Sequence, residues 1–214
     1  MRNQTKHYVI LGLLTILFGL MPVTNGIAGG VQLPQQVIQS ISEKLQKKLQ
    51  DKSFTKNFAQ VVQFVNDVID PHTDFEKIAP LVLGKHWKTA TIVEQESFKH
   101  EFQTLLVRTY SRAFVEYNNW SIRFLPLELS NEATKALVKT NVLQPGNQQP
   151  IDVSYRMFLS RGEWKVYDIV IDGVSLVTNY RSTFSDEIQS KGSLSAVIDS
   201  LAKRNAEALA AKES

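Results

Sequence analysis

Residues 164–184 read WKVYDIVIDGVSLVTNYRSTF, and the fold turns on how this stretch is read. From Glu163 to Ile171, β-branched and aromatic residues alternate with other side chains at the period of a strand. Strict alternation places Trp164, Val166, Asp168 and Val170 on one face, and Lys165, Tyr167, Ile169 and Ile171 on the other. Asp172-Gly173 supplies turn chemistry, since glycine reaches backbone angles that strain other residues. Ser175 is the expected N-cap of a helix whose spacing continues from Leu176 to Phe184. A strand that turns on one glycine into a helix lays that helix across the end of the sheet. The mouth of any interior cavity would open there.

Upstream, the same period of two recurs. Trp120, Ile122 and Phe124 alternate with Ser121 and Arg123, and Pro126 suggests an edge or bulge. Ala136, Val138, Thr140 and Val142 form a second alternating run, ended by the turn at Pro145-Gly146-Asn147. Ile151, Val153, Tyr155, Met157 and Leu159 form a third, which Arg161-Gly162 joins to Glu163–Ile171 as a hairpin. Four successive strands with short links predict an antiparallel meander with one apolar face.

The segments before and after it have helical periodicity. Val37, Ile38, Ile41, Leu45 and Leu49 share one face within 33–50, and Val61, Val62, Val65 and Val68 share one within 58–69, where Pro71 ends the helix. Thr73 or Asp74 caps a short helix closed by Gly84, with Pro80 expected to kink or break it. The longest helix, about Val93 to Tyr117, carries a broad stripe including Phe98, Phe102, Leu105, Leu106, Thr109, Tyr110, Ala113 and Phe114. A last amphipathic helix runs from Leu194 to Leu209. Helices covering a one-faced antiparallel sheet make an α+β fold.

Composition narrows the function. The chain has no cysteine, which excludes disulfides, lipid anchoring through a cysteine and thiolate chemistry. Arg2, Lys6 and His7 precede an apolar run from Val9 to Leu20, and small residues from Thr24 to Gly30 follow, so residues 1–28 read as a signal peptide cleaved after Ala28. Residues 29–214 then form one domain. Cleavage removes Arg2 and Lys6 and no acid, taking the formal charge from +3 to +1. A near-neutral chain without a Lys/Arg stripe makes nucleic acid a poor partner.

The residues offer little catalytic chemistry. The four histidines (His7, His72, His86, His100) show no metal-binding spacing, and neither a phosphate loop nor a nucleophile elbow occurs. Asp67, Asp70, Asp74 and Glu76 cluster around Pro71 but lack the alternation and central glycine of a calcium loop. Asp168 is the exception. A carboxylate on an apolar face could act as a general base, and the alternative is a cross-strand pair with Arg156 or Arg123.

Several motifs carry a family resemblance. The segment Asp74-Phe75 … Leu81-Val82-Leu83-Gly84-Lys85-His86-Trp87-Lys88-Thr89-Ala90-Thr91, the set Gln95, Phe98, Phe102, Leu105, Leu106 with Arg108-Thr109-Tyr110, and the turn Asp172-Gly173-Val174-Ser175-Leu176 with Asn179-Tyr180-Arg181 resemble the MlaC, or toluene-tolerance, family over roughly 35–205. The resemblance implies a nuclear-transport-factor-like fold, with a curved sheet of about four strands and helices around a deep apolar pocket. It implies a monomeric periplasmic carrier, without a cofactor, that shuttles phospholipid as cargo between an inner-membrane Mla ABC transporter complex and an outer-membrane Mla lipoprotein complex. Phe102, Leu106 and Tyr110 from the long helix would form one wall for the lipid tails. Val153, Tyr155, Met157, Trp164, Val166 and Val170 from the sheet would form the other, with Val174 and Val177 near the mouth. Two other classes fit the residues: a periplasmic enzyme using Asp168 as base, and an interaction module with a solid core.

Overall fold

The alternating runs between 121 and 175 form a five-stranded antiparallel sheet in a computed structural model that describes residues 33–116, 119–146 and 149–210. Its strands are β1 (Ser121–Phe124), β2 (Lys135–Leu143), β3 (Ile151–Ser160), β4 (Glu163–Ile171) and β5 (Val174–Ser175), each hydrogen-bonded to the next. Arg161 and Gly162 take φ of 51° and 82°, so β3 and β4 meet in a two-residue hairpin whose twist suits the sheet. Asp172 and Gly173 repeat this turn at 46° and 83°. Here the structure corrects the sequence reading. The chain does not pass from Gly173 straight into a helix; it first adds β5, pairing Val170 with Ser175 and Ile171 with Val174.

A second correction concerns the faces of β4. Met157 pairs with Val166 and Arg156 with Asp168, which leaves Tyr167 without a partner in a β-bulge. One extra residue reverses the faces beyond it. Val153, Tyr155, Met157 and Leu159 therefore share a face with Ile171, Ile169, Val166 and Trp164. Asp168 and Val170 lie on the opposite face, beside Arg156 and Ser154.

The helices are α1 (Pro34–Leu49), α2 (Lys52–Thr55), α3 (Phe58–Ile69), α4 (Phe75–Leu83), α5 (Lys85–Thr89), α6 (Ile92–Glu116), α7 (Leu176–Lys191) and α8 (Leu194–Ala210). The short α2 and α5 are additions to the sequence reading. Asp74 caps α4, accepting a hydrogen bond from the Lys77 N–H at 2.9 Å, and Gly84 closes it at φ 54°. Pro80 lies within α4 without dividing it. α1 is stitched to the sheet edge, since Gln46 Nε2 donates to the Trp120 carbonyl (2.6 Å) and Gln35 Nε2 to that of Leu125 (2.9 Å). The expected signal peptide, Tyr117 and Asn147 lie outside the described residues.

Burial is shared among three clusters. Phe98, Phe102 and Phe184 anchor one between α4, α6, α7 and α8, with the Phe98 and Phe184 rings edge to face at 5.0 Å. Leu45, Leu49, Phe58, Val61, Val65 and Val107 join α1, α3 and α6 in a second. Val37, Ile38, Val138, Met157, Trp164 and Val166 join α1 to the sheet in a third.

Candidate functional site

Between these clusters lies a cavity of about 280 Å³. All three contribute to it: Phe102, Ile78 and Val177 from the first, Leu45, Val65 and Val107 from the second, Ile38 and Val166 from the third. The volume is close to the lower end of the range of ligand pockets, about 300–1,000 Å³. Whether the apolar interior was an open cavity or a packed core was undecided by the sequence; the structure has both, a solid margin and a hollow centre.

α6 supplies one wall with Phe102, Leu106, Val107, Tyr110, Ala113 and Phe114. These recur at helical spacing, so part of the stripe read from the sequence faces the cavity, while Phe98 and Leu105 belong to the packed cluster beside it and Thr109 is exposed. The sheet supplies the opposite wall with Ile122, Val142, Val153, Tyr155, Val166, Ile169 and Ile171. Leu176 and Val177, in the first turn of α7, close part of the end. Phe102 and Ile78 of the lining are buried, while Trp120, Ile122, Gln144, Ile171 and Leu176 are half-exposed.

Of the eleven residues expected to line the pocket, seven do so: Phe102, Leu106, Tyr110, Val153, Tyr155, Val166 and Val177. Four require correction. Met157 and Trp164 point to the correct face but pack solidly against Val37 and Ile38 of α1, at 0% and 4% exposure. Val170 is carried to the other face by the bulge at Tyr167. Val174, on the edge strand β5, is 56% exposed and lies outside the lining. The reading missed the contribution of α1 and α3, whose Ile38, Ile41, Leu45, Val65 and Ile69 also line the cavity. Their amphipathic pattern was visible, yet the same pattern marks a helix packed on a solid core.

Among the described residues, the polar side chains of the lining are few: Ser42, Thr73, Gln144, Asp168, the indole of Trp120 and three tyrosine hydroxyls. Tyr155 is enclosed by protein but keeps exposed area, because that area faces the cavity. Burial pushes its phenol up to about 12, against a weaker opposing hydrogen bond with Thr140. Burial does the same to Tyr110, also to about 12, with a smaller contribution from Tyr180.

Asp168 has structural work. Its Oδ2 accepts hydrogen bonds from Arg156 Nη1 (2.8 Å) and Ser175 Oγ (2.7 Å), and its Oδ1 accepts one from the Val177 N–H (3.1 Å). Ser175 in turn caps α7 by accepting from the Thr178 N–H at 3.1 Å. A carboxylate at a helix N-terminus meets unpaired N–H groups and the positive end of the helix dipole. The cross-strand partner foreseen as Arg156 or Arg123 is Arg156, while Arg123 hydrogen-bonds Asn141 instead. The acids around Pro71 are also engaged: Asp67 with Gln63, Asp70 with Gln103, Asp74 as a cap and Glu76 with Lys99.

A helix-lined antiparallel sheet enclosing an apolar cavity, with a satisfied carboxylate at its edge, defines an α+β protein with an interior suited to apolar ligands. The family model described as "MlaC protein" matches residues 39–203, and the chain belongs to that family. Two curated relatives align over part of their length. The toluene tolerance protein ttg2D of Pseudomonas putida is 28% identical over 130 residues, 60% of this chain and 59% of the relative. The intermembrane phospholipid transport system binding protein MlaC of Haemophilus influenzae is 29% identical over 114 residues, 52% of this chain and 53% of the relative. The chain thus matches between half and three fifths of the length of these relatives. A solved structure of a phospholipid-binding protein from Ralstonia solanacearum, in complex with a phospholipid, superposes with a TM-score of 0.74 at 28% identity, covering 81% of this chain and 97% of that one.

Proposed function

We propose that this chain is an exported, periplasmic phospholipid carrier that encloses acyl tails in the cavity between α6 and the sheet. In this reading it shuttles lipid, as a monomer, between the inner-membrane Mla ABC transporter complex and the outer-membrane Mla lipoprotein complex. One observation carries it: the Ralstonia protein holds a phospholipid in a fold that aligns over 97% of its length. The cavity described above offers tail-compatible walls in this chain.

The energetics suit a carrier. Two acyl chains of about 16 carbons, at about 0.8 kcal/mol per methylene, gain roughly 25 kcal/mol on leaving water. Leaving a bilayer gains almost nothing, since the tails are already in hydrocarbon. Exchange between protein and membrane therefore requires a cavity about as apolar as the bilayer, and the sparse polar lining meets that requirement. Asp168 does not spoil it, because three hydrogen bonds, one of them from the Arg156 guanidinium, satisfy its charge at the margin. The same bonds leave Asp168 poorly placed to take a substrate proton, so the enzyme reading is the weaker one.

Native mass spectrometry of the purified protein tests the proposal. A mass increment equal to a phospholipid, lost on organic extraction and restored by incubation with liposomes, is the expected result. Protein that carries no lipid as isolated and takes none from liposomes would overturn the carrier reading.

A further inference from the structure

The cavity lining holds two hydrogen-bond donors that the sheet places side by side. β1 and β2 pair in the register Ile122↔Val142 and Ser121↔Leu143, so one step outward sets Trp120 opposite Gln144. Strand alternation puts both on the face of Ile122 and Val142, and all four residues line the cavity. Two helices fix Trp120. Gln46 Nε2 of α1 donates to its carbonyl at 2.6 Å, and the Phe114 ring of α6 lies 5.9 Å from its indole. Exposure rises along β2 towards this end, from Thr140 at 1% through half-buried Val142 and Gln144 to exposed Pro145.

Among the described residues, the Trp120 indole N–H and the Gln144 amide have no hydrogen-bond partner, and neither is sealed inside the protein. Other polar groups of the lining are occupied: Thr73 Oγ1 donates to the Ile69 carbonyl at 2.9 Å, and Asp168 accepts the three bonds described above. Donors on the wall of an apolar cavity lose water when a ligand fills it. Each N–H is then costly unless the ligand brings an acceptor. The lining contains no Lys, Arg or His. The pair therefore offers neutral donors without a cation, which suits a carbonyl oxygen better than a phosphate.

We propose that Trp120 and Gln144 donate hydrogen bonds to the acyl-ester carbonyls of a lipid whose tails fill the cavity, so that the protein selects ester-linked over ether-linked lipids. The site rests on the phospholipid reading above. Ester carbonyls are the first acceptors beyond the hydrocarbon tails, and these donors stand where the lining passes from buried to half-exposed. A diacyl lipid carries two such carbonyls on neighbouring glycerol carbons, a pair of acceptors for a pair of donors. In a dialkyl lipid a methylene replaces each carbonyl, and the donors stay unmatched. A few polar groups on a largely apolar wall are the usual means by which a pocket orients its ligand.

The test follows uptake by the full chain from vesicles of equimolar diester and diether phosphatidylglycerol of identical chain length, read by lipid extraction and mass spectrometry. Wild type should take up the diester form in excess. Gln144→Met, which keeps the side-chain length, and Trp120→Phe, which keeps a ring against Phe114, should each lower the diester-to-diether ratio by about fivefold, the scale of one neutral hydrogen bond. Because each result is a ratio within one preparation, a general loss of folded protein cancels. A wild-type ratio of one, or an unchanged ratio in both variants, would overturn the site while leaving the carrier reading intact. Wild type that takes up neither lipid would overturn the carrier reading, and the site with it. The ratios should be the same with phosphatidylethanolamine; variants that alter the preference between headgroups but not between linkages would overturn the ester assignment.

Discussion

Replacing Val166 with glutamate tests the cavity most directly. Val166 is 7% exposed, pairs with Met157, bridges to Thr73 and lines the cavity. In the lipid-free protein a carboxylate there faces a space open to water at one end, so the fold should persist. Once tails fill the space, the charged form loses its hydration and the group must bind a proton. At pH 7, protonating a carboxyl of ordinary pKa near 4.3 costs about 1.36 kcal/mol per unit, or about 4 kcal/mol. Transfer from a bilayer has almost no margin to offset this, so lipid occupancy should fall by a factor of several hundred. The penalty shrinks as pH falls. At pH 5 it is about 1 kcal/mol, so Val166→Glu should regain lipid between pH 7 and pH 5 while wild type changes little. Liposome uptake followed by lipid extraction at each pH measures this, with circular dichroism checking the fold. Folded Val166→Glu protein that carries normal lipid at pH 7 would refute the location of the tails.

Gly173→Val should destabilise by about 1–3 kcal/mol, through backbone strain at φ 83° alone, because the space around a Cβ there is empty; thermal melting reads it. Asp168→Ala removes three hydrogen bonds and strands Arg156, and a loss of about 2–4 kcal/mol is expected in denaturant unfolding, against no effect if α7 is held by packing alone. Tyr110 and Tyr155 should stay neutral in ultraviolet titration until pH approaches 12. Since the unfolded phenols ionise near 10, their contribution to stability is intact below that pH and declines as pH rises from about 10 to 12. N-terminal sequencing of the expressed protein should begin near Gly29; a mature chain that retains Met1 would contradict export by cleavage.

Local periodicity made the elements legible. The stripe of α6, the alternation of β2 to β4, the Asp74 and Ser175 caps and the Arg161-Gly162 and Asp172-Gly173 turns each express an interaction within a few residues, which a sequence records directly. The family was legible for a related reason: its motifs are contiguous, and the match over 39–203 bears out the resemblance read from them. What the tertiary structure decided was the destination of each apolar face. The bulge at Tyr167 depends on how β4 pairs with β3, and it moved Asp168 and Val170 off the face of Val166. Met157 and Trp164 look the same in sequence as Val153 and Tyr155, yet the first pair is packed under α1 while the second lines the cavity. A buried apolar side chain obeys one pattern whether it meets another side chain or an empty space, because periodicity records removal from water and not what replaces it. The cavity exists only in the distances between helices and strands far apart in the chain.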